Sequence, residues 1–139
     1  MNLDKFKHQH LDILGAITGL RALVQQGIAE QASAIAQQIV AMSGFIKLHL
    51  AVEDRVLYPA LEQSGNAQLA RMSRQYRGEM DHIANAYLAF AAKWNTPRLL
   101  AAEPEVFRSE ANAVLRTLYE RMRREDHEFY PAIEAGAPA

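Results

Sequence analysis

Ile35, Ile39, Met42, Ile46, His49, Glu53, Val56 and Ala60 follow one another at alternating intervals of four and three residues. Side chains at that spacing fall on one face of an α-helix. An imidazole and a carboxylate therefore sit one turn apart inside an otherwise apolar stripe that a packed core has to cover. A buried ionisable group is costly unless it is paired or loses its charge. Whatever this chain folds into must bring partners to His49 and Glu53.

The stretch has a partial copy. Glu53-Asp54-Arg55-Val56-Leu57-Tyr58-Pro59-Ala60-Leu61 and Glu125-Asp126-His127-Glu128-Phe129-Tyr130-Pro131-Ala132-Ile133 share the pattern Glu-Asp-x-x-apolar-Tyr-Pro-Ala-apolar, offset by 72 residues. Two helices end alike, each with a carboxylate six residues before its proline. The copy breaks at one place, because Arg121 stands where the counterpart of His49 would be.

The 139 residues suit one domain spanning the whole chain, residues 1–139. Fifteen basic and sixteen acidic residues nearly cancel, so no whole-chain field draws the protein to nucleic acid. The absence of cysteine excludes disulfides, thiolate metal sites and cysteine nucleophiles, and is compatible with a cytoplasmic protein. Charges begin at Asp4 and no long apolar segment opens the chain, so no signal peptide or membrane span is expected.

Periodicity predicts four long helices. The first spans about residues 3 to 26, with Phe6, His10, Ile13, Ile17, Leu20 and Val24 inward and Gly27 as a stop. The second spans about 31 to 63, with Pro59 bending or loosening its last turn, and Ser64-Gly65-Asn66 forms a turn. The third spans about 67 to 93, with Leu69, Met72, Tyr76, Glu79, Ile83, Ala86 and Phe90 on one side and Gln75 and His82 beside them. Gly78 adjoins Glu79 and is a candidate for close approach of a neighbour. After a connection over residues 94 to 103, the fourth helix starts near Pro104, which suits a first helical turn. Its inward face takes Phe107, Ala111, Val114, Leu118, Arg121 or Met122, Glu125, Phe129 and Ala132, and residues 136 to 139 should fray. No strand pattern competes. The expected fold is all-α, an up-down-up-down antiparallel four-helix bundle.

Laid antiparallel, the helices deliver His10, His49, Glu53, Glu79, His82 and Glu125 to depths that overlap within roughly three turns. Imidazoles and carboxylates without thiolates suit iron, manganese or zinc, and carboxylates on several helices favour a two-metal site because they can bridge. Glu79 has an alternative, a salt bridge with Arg77, Arg121 or another basic group. Tyr58 and Tyr130 are candidates for hydrogen bonds to the ligands. His8, His127, Asp54 and Asp126 read as solvated or, for the aspartates, helix-bridging.

The chain resembles the haemerythrin-like family, also called the HHE cation-binding domain. His10, the His49-Leu-Ala-Val-Glu53-Asp-x-x-Leu-Tyr-Pro motif, His82 and Glu125-Asp-x-x-Phe-Tyr-Pro carry the resemblance, which covers essentially the whole chain. It implies a non-haem di-iron centre in which Glu53 and Glu125 bridge and the histidines are terminal ligands. It also implies dioxygen binding, nitric oxide or redox sensing, iron handling, or repair of iron centres. The chain departs from the family at Arg121, where the fourth helix usually supplies a histidine, and offers Glu79 with His82 in place of two third-helix histidines. A guanidinium there would either face the site, where it opposes a second divalent ion and can neutralise Glu125 or Glu79 or stabilise an anion, or point along a mouth of the bundle away from metal.

The favoured function is a non-haem iron protein, with two ions, that binds or senses dioxygen, nitric oxide or redox state. Ile13, Met42, Ile46 and Ile83 would line the site against bulk water. A di-iron oxidase or peroxidase is the alternative enzyme, and a metal-poor regulatory or interaction bundle the alternative non-enzyme. The expected partner is a small diatomic ligand, with neither nucleic acid nor membrane, in a monomer or homodimer.

Overall fold

The computed structural model describes residues 1–136. Helix α1 (Asp4–Gln26) is followed by α2 (Ala32–Val52), which runs through a π-helical turn (Glu53–Leu57) into α3 (Tyr58–Glu62). Helix α4 (Ala67–Trp94) and the short α5 (Pro97–Ala102) lead to α6 (Pro104–Arg124), which passes through a second π-helical turn (Glu125–Phe129) into α7 (Tyr130–Gly136). The long helices close a ring in which α1 packs on α2, α2 on α4, α4 on α6 and α6 on α1. This is the all-α four-helix bundle that the periodicity requires. Residues 137–139, expected to fray, lie outside the described residues.

Local chemistry sets the ends. Gly27 stops α1 at φ 118°, a conformation open to glycine, and its N–H caps the Val24 carbonyl. The Asn66 side chain starts α4 by accepting hydrogen bonds from the Gln68 and Leu69 amides, both at 3.1 Å. Pro97 and Pro104 occupy first turns, where the missing N–H costs nothing. Helix α5 is an addition to the sequence reading, which left its residues in a connection. Gly78 faces open space, and no close approach depends on it.

The two π-turns correct the expected inward faces. The Tyr58 amide donates to the Glu53 carbonyl and the Tyr130 amide to the Glu125 carbonyl, five residues back in each case. Each turn stops immediately before the Tyr-Pro pair. A proline offers no N–H to the carbonyl four residues behind it and its ring crowds that carbonyl, and a widened turn relieves both. The extra residue shifts the phase, so Leu57 and Leu61 are buried where Val56 and Ala60 were expected, and Val56 is exposed. In the copy, Tyr130 and Ile133 are buried while Ala132 is only half-buried.

Helix α4 differs for another reason. It is uninterrupted, and its buried face is Leu69, Ser73, Tyr76, Met80, Ala84, Tyr87, Phe90, Ala91 and Trp94. The expected face and the observed one share Leu69, Tyr76 and Phe90 but take the three- and four-residue steps between them in a different order, so Ser73, Met80, Ala84 and Tyr87 are buried where Met72, Glu79, Ile83 and Ala86 were expected. In α6, Leu115 takes the buried place expected of Val114, which is half-buried.

The core is in two parts. A large apolar cluster includes Ile13, Ile17, Ile39, Met42, Ile46, Met80, Trp94, Phe107, Leu118 and Met122. A smaller one joins Leu3, Phe6, Leu57, Tyr58, Leu61, Leu69, Tyr76, Phe129, Tyr130 and Ile133. Along α1, α2 and α6 the change from one cluster to the other falls at buried polar residues: His10 between Phe6 and Ile13, His49 and Glu53 between Ile46 and Leu57, and Glu125, one turn after Arg121, between Met122 and Phe129. Along α4 it falls between Tyr76 and Met80, beside the half-buried Glu79. A polar layer thus lies between two apolar ones. The continuous helix Ala32–Glu62 contains an 18-residue stretch of mean hydropathy 1.4 and is long and apolar enough by length and composition to cross a membrane. Its inner stripe is nevertheless the one that carries His49 and Glu53 into this layer.

Candidate metal centre

Each candidate ligand reaches the layer from a different element. His10 comes from the second turn of α1, His49 from the last turn of α2, and Glu53 and Glu125 open the two π-turns. All four are at most 1% exposed. His10 Nε2 lies 3.1 Å from His49 Nε2 and 2.8 Å from Glu125 Oε1. His49 Nε2 lies 3.4 Å from Glu53 Oε2 and 3.6 Å from Glu125 Oε1.

The outer ring nitrogens explain why the inner ones converge. His49 Nδ1 donates to Gln9 Oε1 and His10 Nδ1 donates to Asp126 Oδ1, both at 2.8 Å. With Nδ1 donating outward, Nε2 is the nitrogen that each imidazole turns to the layer, and it can ligate a cation once it gives up any proton it carries. Two such nitrogens and a carboxylate oxygen then face one point, which suits a cation. The three ligand atoms from His10, His49 and Glu125 all lie within 4.8 Å of one another. The Glu53 carboxylate is wholly buried and, among the described residues, neither oxygen has a hydrogen-bond partner, although Oε2 is within ion-pair distance of His49. A buried carboxylate without hydrogen bonds fits a cation. The Tyr130 hydroxyl completes the enclosure by donating to Glu125 Oε1 at 3.3 Å, 3.2 Å from His10 Nε2.

Protonation follows from the crowding. Burial pushes the His49 imidazole down, but the charges and hydrogen bonds of Glu53 and Glu125 reverse this and raise its pKa to about 10. Burial pushes Glu53 up to about 7, helped by the Glu125 charge and opposed by His49. Burial also works against Glu125, yet hydrogen bonds from His10 and His49 hold its carboxyl well below the usual range. The metal-free layer therefore keeps a proton on His49, in the place a metal would take.

On the other side of Glu125 lies Arg121, 2% exposed. Its Nε donates to Glu125 Oε2 at 3.0 Å, one terminal nitrogen to the Tyr76 carbonyl at 2.6 Å, and the other to Glu79 Oε2 at 3.3 Å. The guanidinium lies over the Tyr76 ring, 4.4 Å from its centroid. Glu79 is half-buried and shared with Arg124 at 3.1 Å, which is the salt-bridged alternative of the sequence reading. His82 is exposed and does not join the cluster, as the buried face of α4 dictates. His8, His127 and Asp54 are exposed. Tyr58 is buried, and among the described residues its hydroxyl has no partner.

One residue of the site escaped the sequence reading. Gln9 lies three residues after Phe6 and four before Ile13, so the stripe of α1 admits it as readily as His10. Asp126, read as solvated or helix-bridging, does bridge, reaching from the second π-turn to α1 and orienting His10. Partners that orient metal-binding histidines typically matter 10–100-fold for affinity, so Gln9→Ala is expected to weaken metal binding by about that factor. Calorimetric titration under anaerobic conditions measures it, and an unchanged affinity would remove Gln9 from the site.

A closed four-helix bundle whose core gathers histidines and carboxylates from several helices belongs to the class of non-haem metal-binding bundles. Residues 1–133 match the Hemerythrin HHE cation binding domain, and the chain belongs to that family. No curated protein and no solved structure matches it.

Proposed function

We propose that this chain is a non-haem iron protein that binds or senses a small diatomic ligand, or responds to redox state, at the buried centre formed by His10, His49, Glu53 and Glu125. The observation that carries the reading is the convergence of His10 Nε2, His49 Nε2 and Glu125 Oε1 in a layer closed to solvent. Nitrogen and carboxylate donors without sulfur suit iron, with manganese and zinc as weaker fits. Iron held there supplies coordination positions for an exogenous ligand and a change of oxidation state. The chain's own residues do the rest. Gln9 and Asp126 aim the imidazoles, Tyr130 holds a proton beside Glu125, and Ile13, Met42 and Ile46 keep bulk water away. Complete burial of the ligands favours a guest of a few atoms over a bulky substrate.

The test is anaerobic ferrous loading followed by elemental analysis, then optical titration with nitric oxide and dioxygen. Iron retained by the chain, with a spectrum that changes reversibly, is the expected result. A chain that retains no metal would instead favour a metal-free regulatory bundle, the reading that the Arg121–Glu125 ion pair supports.

Proton release offers a second check. A ligand must shed its proton to take a metal. At pH 6 both His49 and Glu53 are protonated in the metal-free layer, and at pH 8 only His49 is. Release per bound ion should therefore fall from about two protons to about one between these pH values, with affinity rising throughout. Calorimetry in buffers of different ionisation enthalpy counts the protons; a release independent of pH would contradict this assignment. Without metal the linkage runs in the other direction. Both folded pKa values lie above the ordinary 4.5 and 6.5, so these groups stabilise the protein most at low pH. That contribution is lost as pH rises through about 7 and about 10, and metal loading should remove the decline in Tm.

A further inference from the structure

The internal repeat relates Glu53 to Glu125 and His49 to Arg121. In the folded chain Glu125 stands between the two halves. Its Oε1 faces the imidazole pair, at 2.8 Å from His10 Nε2, while its Oε2 accepts from the Arg121 guanidinium at 3.0 Å. A carboxylate that bridges two cations presents one oxygen to each. Here one of the two cations is part of the protein.

Arg121 is held firmly in that position. Its donors meet Glu125, Glu79 and the Tyr76 carbonyl, and its plane covers the Tyr76 ring. The rest of this half offers little to a metal. The inward residues of α4 at this depth are Tyr76 and Met80, and His82 is exposed. Glu79 is already shared by Arg121 and Arg124. The residues present therefore fit one ion on the imidazole side and do not fit a second.

We propose that Arg121 takes the place of a second metal ion, so that the layer holds a single ion beside His10 and His49, bridged through Glu125 to a fixed guanidinium. Arginine does not lose its proton in a protein, so the charge on that side is permanent. Glu53, Glu125 and Arg121 together carry one net negative charge, which a single divalent ion more than balances. A second would add two positive charges beside the guanidinium. A lone ion exchanges one electron at a time, which favours ligand binding or one-electron sensing over chemistry that needs two electrons at once. This inference rests on the metal-binding reading above and narrows it.

Metal stoichiometry separates the two. After anaerobic loading with excess ferrous salt and desalting, the chain is expected to keep one iron. Once oxidised, that iron should give a high-spin ferric paramagnetic resonance signal whose spin count equals the metal count. Two irons per chain with the signal silenced by coupling would overturn the single-ion proposal and leave the metal-binding reading intact. No iron would overturn both. Arg121→His restores the imidazole that the repeat lacks, and uptake is expected to rise from one ion towards two with loss of the signal. Uptake unchanged at one ion, in a variant whose helical content matches the parent, would show that Arg121 is not what excludes the second ion. If that variant does not fold, the stoichiometry of the parent chain decides alone.

Discussion

His49→Ala is expected to abolish stable metal uptake. Structural metal sites with four ligands reach apparent binding free energies of about 10–16 kcal/mol, so one ligand is worth roughly 3–4 kcal/mol, or two to three orders of magnitude in affinity. His49 is also the residue that joins the parts of the site. Its Nε2 is within 3.6 Å of His10, Glu53 and Glu125 ligand atoms, and Gln9 holds its Nδ1. Elemental analysis after loading and desalting should find nearly metal-free protein, while circular dichroism reports an intact bundle. Metal retained at the parent level would place the centre elsewhere. The alanine variant also strips Glu53 of its nearest cation, and His49→Gln tests the loss of the ligand with less disturbance of packing.

Arg121→Ala acts on stability even without metal. Removing one partner of a buried ion pair typically costs about 3–5 kcal/mol, because the other charge stays buried and uncompensated. Three acceptors lose a donor together: Glu125 Oε2, Glu79 Oε2 and the Tyr76 carbonyl, which no longer has the 2.6 Å bond from the guanidinium. A cavity opens beside Tyr76 as well. Urea unfolding of the metal-free protein measures the loss. Arg121→Lys keeps the charge but not the planar fork, and should fall between the parent and the alanine variant. A cost below about 1 kcal/mol for Arg121→Ala, the range of an exposed ion pair, would mean that the guanidinium does not support the layer.

Much of the architecture was legible because the features that specify it are local. The four apolar stripes, Gly27, the Ser64-Gly65-Asn66 turn and Pro104 mark the helices and their ends within a residue or two. His49 and Glu53 stood out as ionisable groups in an apolar stripe, and the repeated Glu-Asp-x-x-apolar-Tyr-Pro pattern singled out Glu125 in the same way. What escaped was phase. Neither π-turn announces itself in a count of three and four, so Leu57 was misplaced in favour of Val56. Along α4 a different order of three- and four-residue steps sends Ile83 half out of the core and brings His82, two residues past Met80, to the surface.

The sequence by itself determined which chemistry this protein can hold: nitrogen and carboxylate donors, no thiolate, and a family pattern interrupted at Arg121. Those are properties of residue type and spacing along one helix. Only the tertiary structure decided how the donors are shared. That Gln9 and Asp126 aim the imidazoles, that Glu79 turns to two arginines, and that Arg121 points inward to Glu125 all depend on contacts between helices. Such contacts are set by the rotation of each helix about its axis, and a single residue of π-turn or a few degrees of accumulated twist changes that rotation more than any residue identity does.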